Sequence, residues 1–167
     1  QRLLDEIVEK TFQVFATPPE MTISEWADTE RQLSRESSSA FGQWETSINE
    51  PLRGIMDAIS DPEVEEVVVM SASQVGKTEA ILNAIGYHIQ NDPCPILSVM
   101  PNEAMAMSMS RDRIAPMIRD TPALKGLVSD PKSRSTGNTI LHKTFPGGHI
   151  TLASAQSPAN LAARSCR

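Results

Sequence analysis

A chain of 167 residues has room for one domain, or one domain with an added arm. At 40% hydrophobic and only 4% aromatic, its core must be filled by Leu, Ile, Val, Met and Ala. No apolar run approaches the ~18 residues of a membrane span, the first residues do not read as a basic-then-apolar signal segment, and Cys94 and Cys166 are too few and too far apart for a disulfide scaffold, which points to a reducing cytoplasm. The net charge of −6 is uneven: residues 1–70 hold 15 acidic and 5 basic side chains and residues 71–167 hold 6 and 10, so a polyanion would meet the second part.

Leu3, Leu4, Ile7, Val8, Phe12 and Phe15 fall at helical spacing and predict an amphipathic helix over 2–15, packed on the core or docked on a partner. Thr17-Pro18-Pro19 ends it as a short rigid linker. Thr22 and Glu25 have capping-box spacing and open a short helix around Trp26. The Ser-rich stretch 34–47 reads as a loop or extended strap. A helix over 51–59 starts with Pro51 in its first turn, and Asp61-Pro62 turns the chain toward an apolar strand, Val67-Val68-Val69-Met70.

Residues 79–85 predict a helix, Asn91-Asp92-Pro93 a break, and Ile96–Met100 a second strand, parallel to the first across the helical crossover. The helix that follows carries Met105, Met107, Met109, Ile114, Met117 and Ile118, with Pro116 kinking or splitting it. Its methionines read mainly as core filling in a chain short of aromatics. Residues 129–138 are a polar loop. Asn138–Phe145 and His149–Ser154 predict a hairpin around Pro146-Gly147-Gly148, and 158–163 a helical turn.

Ser71-Ala72-Ser73-Gln74-Val75-Gly76-Lys77-Thr78 stands between the first strand and its helix. Strand, tight loop, Gly-Lys-Thr and helix together form a phosphate-binding loop. Loop N–H groups and the positive helix end would face the phosphates. Lys77 would reach the β- and γ-phosphates, and the Thr78 hydroxyl would ligate Mg²⁺. Ser73, Gln74 and Val75 would contribute mainly N–H groups. Ser71 occupies the place of the pattern's first Gly, a departure in a tight turn. The competing reading is a chance Gly-Lys-Thr at a helix start.

Several segments together resemble one family: Pro51-Leu52-Arg53-Gly54-Ile55-Met56-Asp57-Ala58, Asp61-Pro62-Glu63-Val64-Glu65, Gln74-Val75-Gly76-Lys77-Thr78-Glu79, Asp92-Pro93, Pro101, and Ser154-Ala155-Gln156-Ser157-Pro158-Ala159-Asn160-Leu161-Ala162. Over residues 20–167 the chain is similar to the ATPase part of the large terminase subunit of lambda-like tailed phages, the terminase GpA family. Phosphate loops of that family often lack the first Gly, which accommodates Ser71. The resemblance implies an α/β P-loop NTPase, a mostly parallel sheet flanked by helices, with a helical N-terminal arm. Residues 1–50 would be arm and strap, and 51–167 a partial ATPase domain. It also implies ATP and Mg²⁺ as cofactors and ATP-driven packaging of double-stranded viral DNA into a procapsid. The intact protein would also be an endonuclease. Its partners would be the small terminase subunit, the portal and other copies of itself, in the host cytoplasm. No Asp or Glu follows Asp130, so a chain starting at Gln1 is expected to be a fragment that stops before the acidic Walker B strand, binding nucleotide weakly without turnover.

Lys77 is the expected catalytic cation. Related motors place an aromatic residue or Gln about thirty residues upstream of it against adenine. Gln43 and Trp44, with Phe41 nearby, fit that distance, and Trp44 fits equally as an anchor of the strap. Arg111, Arg113 and Arg119 read as a solvated helix face, a DNA contact or an arginine finger, and Arg164 has the same status. Lys132, Arg134 and Lys143 are candidates for DNA phosphates. Glu79 has no catalytic assignment, and His88, His142 and His149 lack the partners of a hydrolytic triad. Two other functions fit parts of the pattern: another P-loop motor such as a superfamily-2 helicase, or a non-enzymatic docking module using the arm and the Met-rich helix.

Overall fold

The computed structural model describes residues 21–36, 41–128, 139–156 and 161. The amphipathic segment at 2–15, the polar loop 129–138 and, apart from Leu161, the turn at 158–163 lie outside them. The first described helix, α1 (Ile23–Glu30), opens with the predicted capping box: Glu25 N–H donates to Thr22 Oγ1 at 3.3 Å and Thr22 N–H to Glu25 Oε2 at 2.9 Å. It is followed by β1 (Gln32–Leu33), which pairs antiparallel with β2 (Gly42–Gln43), so the strap is pinned as a short two-stranded ribbon. A 3-10 turn, Thr46–Asn49, leads into α2 (Pro51–Ser60).

Helix α3 (Lys77–Gln90) is the centre of the helical layer. Trp26 of α1 is fully buried and lies over Gly86, where a Cβ would come within 2.2 Å of Trp26 Cη2. Its indole N–H donates to Gln90 Oε1 at 2.8 Å, which satisfies the ring's one polar atom. Burial of a Trp side chain contributes about 4–6 kcal/mol before ordering entropy is subtracted. The described part of 21–50 therefore packs directly on α2 and α3.

The second layer is a sheet of β3 (Pro95–Met100), β4 (His142–Phe145) and β5 (Gly148–Ser154), in the order β3–β5–β4. The hairpin forms as predicted, with β4 starting at His142. The parallel neighbour of β3 is β5, with Pro95 opposite His149 and Met100 opposite Ser154. β5 is central, and Ile150 through Ser154 are all buried. Helix α4 (Glu103–Ser108) covers the sheet. It is capped by Asn102, whose Oδ1 accepts from Met105 N–H at 2.8 Å.

Two expectations are corrected. The sheet is mixed rather than mostly parallel. Val67–Met70 is not a strand: residues 64–70 run without ladder bonds, with Val68 81% and Met70 98% exposed. A strand exists only through its pairing, and no described segment pairs with this one. It instead forms one wall of an open trough of about 1350 Å³, whose other walls are α3 and the outer edge of β3.

The long helix expected after Pro101 is three pieces. A π-helical turn, Met109–Ile114, joins α4 to α5 (Ala115–Asp120), and Ala115 N–H bonds Ser110 O, five residues back. Pro116 accounts for the wide turn, since in an α-helix its ring would collide with the carbonyl four residues earlier. Met109 and Met117 are buried in the core as read, while Met105 is half exposed.

Candidate nucleotide site

The loop 71–76 enters α3 with two residues in the left-handed region, Gln74 at φ 60° and Gly76 at φ 85°. Such alternation turns successive N–H groups toward one point, the geometry of an anion-binding concavity. Gly76 is the N-cap of α3, and among the described residues no side chain caps that helix. At Gly76 a Cβ would sit 3.0 Å from Leu52 Cδ1 and 3.1 Å from Asn49 Nδ2, so the position requires glycine on two grounds. Ser71, by contrast, has no positive φ, because Gln74 is the one non-glycine residue with one among the described residues. Serine is therefore compatible with the turn in which the pattern has glycine.

Lys77 folds back over the loop, its Nζ donating to Ser71 O at 3.2 Å and to Ala72 O. The ammonium is thus held at the first residues of the loop by carbonyls that a phosphate oxygen could replace as its partners. Thr78 is exposed beside it. Asn49, at the end of the 3-10 turn, donates from Nδ2 to Val75 O at 2.9 Å and braces the loop from below. Sequence reading missed this residue, whose place just before the Pro51 helix suggests no more than a cap.

Glu79, in the first turn of α3, joins two arginines. Its Oε2 accepts from Arg31 Nη2 at 3.0 Å, and its Oε1 lies 3.6 Å from Arg113 Nη1 on the π turn. The Arg31 side chain is 1% exposed. Burial lowers its pKa below the ordinary arginine value, and the charge and hydrogen bond of Glu79 oppose that shift. No spacing rule connects these three residues. The only sequence signal is that an acid in a helix's first turn suits the dipole.

Of the predicted adenine pair, Trp44 is 7% exposed in the core, its indole N–H donating to Thr46 Oγ1 at 2.9 Å. The anchor reading describes it. Gln43 is exposed, and its amide donates to Asp28 O at 2.8 Å. Phe41 is exposed under the guanidinium of Arg35, 4.3 Å from its ring centroid. Arg111 is exposed. Arg119 is tied to Glu36 at 3.1 Å and Asp120 at 2.7 Å, and these bonds raise its pKa further. Lys143 is 5% exposed, on the core-facing side of β4 with Phe145, and so is not a surface contact for DNA. Lys132, Arg134 and Arg164 lie outside the described residues.

The donors at the loop are an ammonium, backbone N–H groups and the hydroxyls of Ser71, Ser73 and Thr78, which fit an oligophosphate. Among the described residues no three His, Cys, Asp or Glu side chains are grouped to hold a metal. Thr78 alone is too few ligands for Mg²⁺, so the ion fits here only when carried in by a nucleotide.

Residues 38–167 match the model of the phage terminase large subunit gpA family, ATPase domain. The chain is 30% identical over 131 residues to the terminase large subunit of Escherichia phage lambda and 29% identical over 132 residues to that of Enterobacteria phage P21. Each match covers 78% of this chain and 20% of the relative, so the chain spans about one fifth of the length of the curated relatives it matches. No solved structure matches it. The chain belongs to the phage terminase large subunit gpA family, by its ATPase domain.

Proposed function

We propose that this chain is the ATP-binding portion of a phage DNA-packaging terminase, with a P-loop at residues 71–78. The observation that carries the reading is Lys77 folded back onto Ser71 O and Ala72 O, in a loop with left-handed Gln74 and Gly76 that enters a helix without a side-chain cap. Loop N–H groups would hold the β-phosphate, and Lys77 would exchange its two carbonyl partners for phosphate oxygens and offset charge at the γ-phosphate. The Thr78 hydroxyl would ligate Mg²⁺, which when bound neutralises charge between the β- and γ-phosphates. Gln43 remains our candidate for the adenine edge, where the base would replace its present partners, Asp28 O on its amide N–H and Gln32 Nε2 on its Oε1.

In the whole protein this binding would power translocation of double-stranded DNA into a procapsid. We assign to it the small terminase subunit and the portal as partners, a homo-oligomeric motor, an endonuclease activity and the host cytoplasm as its place of work. The basic excess after residue 70 supports contact with a polyanion.

The test is thermal melting with and without Mg²⁺-ATP, beside Lys77→Ala. At 100 times its dissociation constant the ligand adds about 2.7 kcal/mol to a folded binder. A rise that disappears in Lys77→Ala supports the reading. A cooperative melt that ATP leaves unmoved refutes it.

A further inference from the structure

We infer that Arg31 sets the charge of the phosphate site without touching a phosphate: its buried guanidinium offsets the carboxylate of Glu79, which would otherwise repel an oligophosphate at the start of α3. This rests on the phosphate-loop reading above. Glu79 directly follows Thr78, and its N–H donates to Gly76 O at 2.9 Å, in the turn that closes the loop. Three residues of helix rise by about 4.5 Å, well inside the ~8–10 Å over which charges act at ordinary salt. A carboxylate there acts on the phosphates whichever way it points. It also answers the positive helix end that an incoming anion would use.

Arg31 is placed to offset that charge. Its Nη2 donates to Glu79 Oε2 at 3.0 Å, and the two side chains are 1% and 15% exposed. The charges therefore meet through protein rather than water, and salt screens them poorly. A buried pair of this kind is a weak device for stability, because desolvation offsets its attraction. Arg31 also carries an Nε without a hydrogen-bond partner, which adds to its cost. The pair's effect on the neighbouring anion site gives it a role that its net stability does not. Glu79 lies 3.6 Å from Arg113 as well, and Asp120 acts on Arg31 from farther away. Arg31 makes the shorter contact with Glu79 and is its main counter-charge.

The test is calorimetric titration of the intact chain with Mg²⁺-ADP and with Mg²⁺-AMP-PNP, which carries one more negative charge, at low and high salt. The proteins are wild type, Arg31→Met, Arg31→Lys, Glu79→Gln, the double variant Arg31→Met with Glu79→Gln, and Lys77→Ala, each first shown to melt cooperatively. Arg31→Met should weaken AMP-PNP about 3- to 30-fold, and Glu79→Gln should tighten it by a similar factor. The double variant and Arg31→Lys should return toward wild type. Every change should be smaller for ADP and should shrink at high salt. If Arg31→Met does not fold, Glu79→Gln and the double variant decide alone. Weaker or unchanged binding in Glu79→Gln, or equal losses for both nucleotides at both salts, would make the pair a mechanical brace and overturn the inference while Lys77→Ala still abolishes binding. A folded wild type that binds neither nucleotide overturns the phosphate-loop reading, and this inference with it.

Discussion

Glu79 and Arg31 meet in a 3.0 Å ion pair across 48 residues of chain, joining the start of α3 to the ribbon that follows α1. The guanidinium is buried, its Nη1 donating to Gln32 O and its Nε without a partner. Removing the carboxylate leaves a buried charge without its ion-pair partner, with only the more distant Asp120 to offset it. Glu79→Ala should therefore destabilise the chain by about 3–5 kcal/mol in urea unfolding. The double variant Arg31→Met with Glu79→Leu should recover most of that loss, because apolar replacements of similar volume also remove the desolvation cost. A loss below about 1 kcal/mol for Glu79→Ala would show that Arg31 finds adequate substitute partners.

Gly86 is where α1 and α3 touch most closely. The Trp26 ring occupies the space of a side chain there, 2.2 Å from an added Cβ. Gly86→Ala should cost about 1–3 kcal/mol by overpacking, against a gain of up to ~1 kcal/mol from helix propensity at an open site. Gly54, on α2, has nothing within 4 Å of an added Cβ. Gly54→Ala is thus the matched control and should stabilise. Equal melting shifts for the two variants would mean that the Trp26 contact yields easily.

Local signals in the sequence carried through to the structure. The Thr22–Glu25 box, Pro51 in a first turn and the Pro146–Gly148 hairpin each depend on a few neighbouring residues, and each formed. Val67–Met70 did not form a strand, because an apolar run specifies strand propensity but not the partner that pairs it. The site divides the same way. Loop, Lys77 and Thr78 are contiguous and legible, whereas Asn49, Arg31 and Arg113 reach the loop and Glu79 only through tertiary packing. Trp44 was ambiguous in sequence, since its spacing fits both a base contact and an anchor. Its burial and its bond to Thr46 show the anchoring contact.

Asn49 should influence nucleotide affinity without touching nucleotide. Its amide holds Val75 O at 2.9 Å and lies against Gly76, the N-cap of α3. Asn49→Ala removes one hydrogen bond, a loss of about 0.5–1.5 kcal/mol, and frees the loop to sample other conformations. Nucleotide affinity should fall roughly two- to tenfold, with Asn49→Asp no better because a carboxylate cannot donate to Val75 O. Gly76→Ala should lose more, adding the strain of a left-handed alanine, about 1–2 kcal/mol, to the contact with Leu52. Unchanged titration curves for Asn49→Ala would remove Asn49 from the loop's support.

Lys143 sits opposite Ile150 on the core-facing side of the hairpin, and burial lowers its pKa below the ordinary lysine value of 10.5. A base with a depressed folded pKa binds its proton less tightly in the native state than in the unfolded one. Between the folded value and 10.5 the unfolded chain carries more protons, so this residue makes stability rise with pH across that window. At any pH below both values its full charging penalty is present. Lys143→Met keeps the aliphatic stem and removes the ammonium. It should raise the melting temperature by a few degrees at pH 7, for a gain of about 1 kcal/mol. The advantage over wild type should shrink as pH rises toward 10.5, where the native lysine loses its proton. A lower melting temperature for Lys143→Met at pH 7 would mean that the ammonium has a stabilising partner, and paired melts at pH 7 and pH 10 separate the two outcomes.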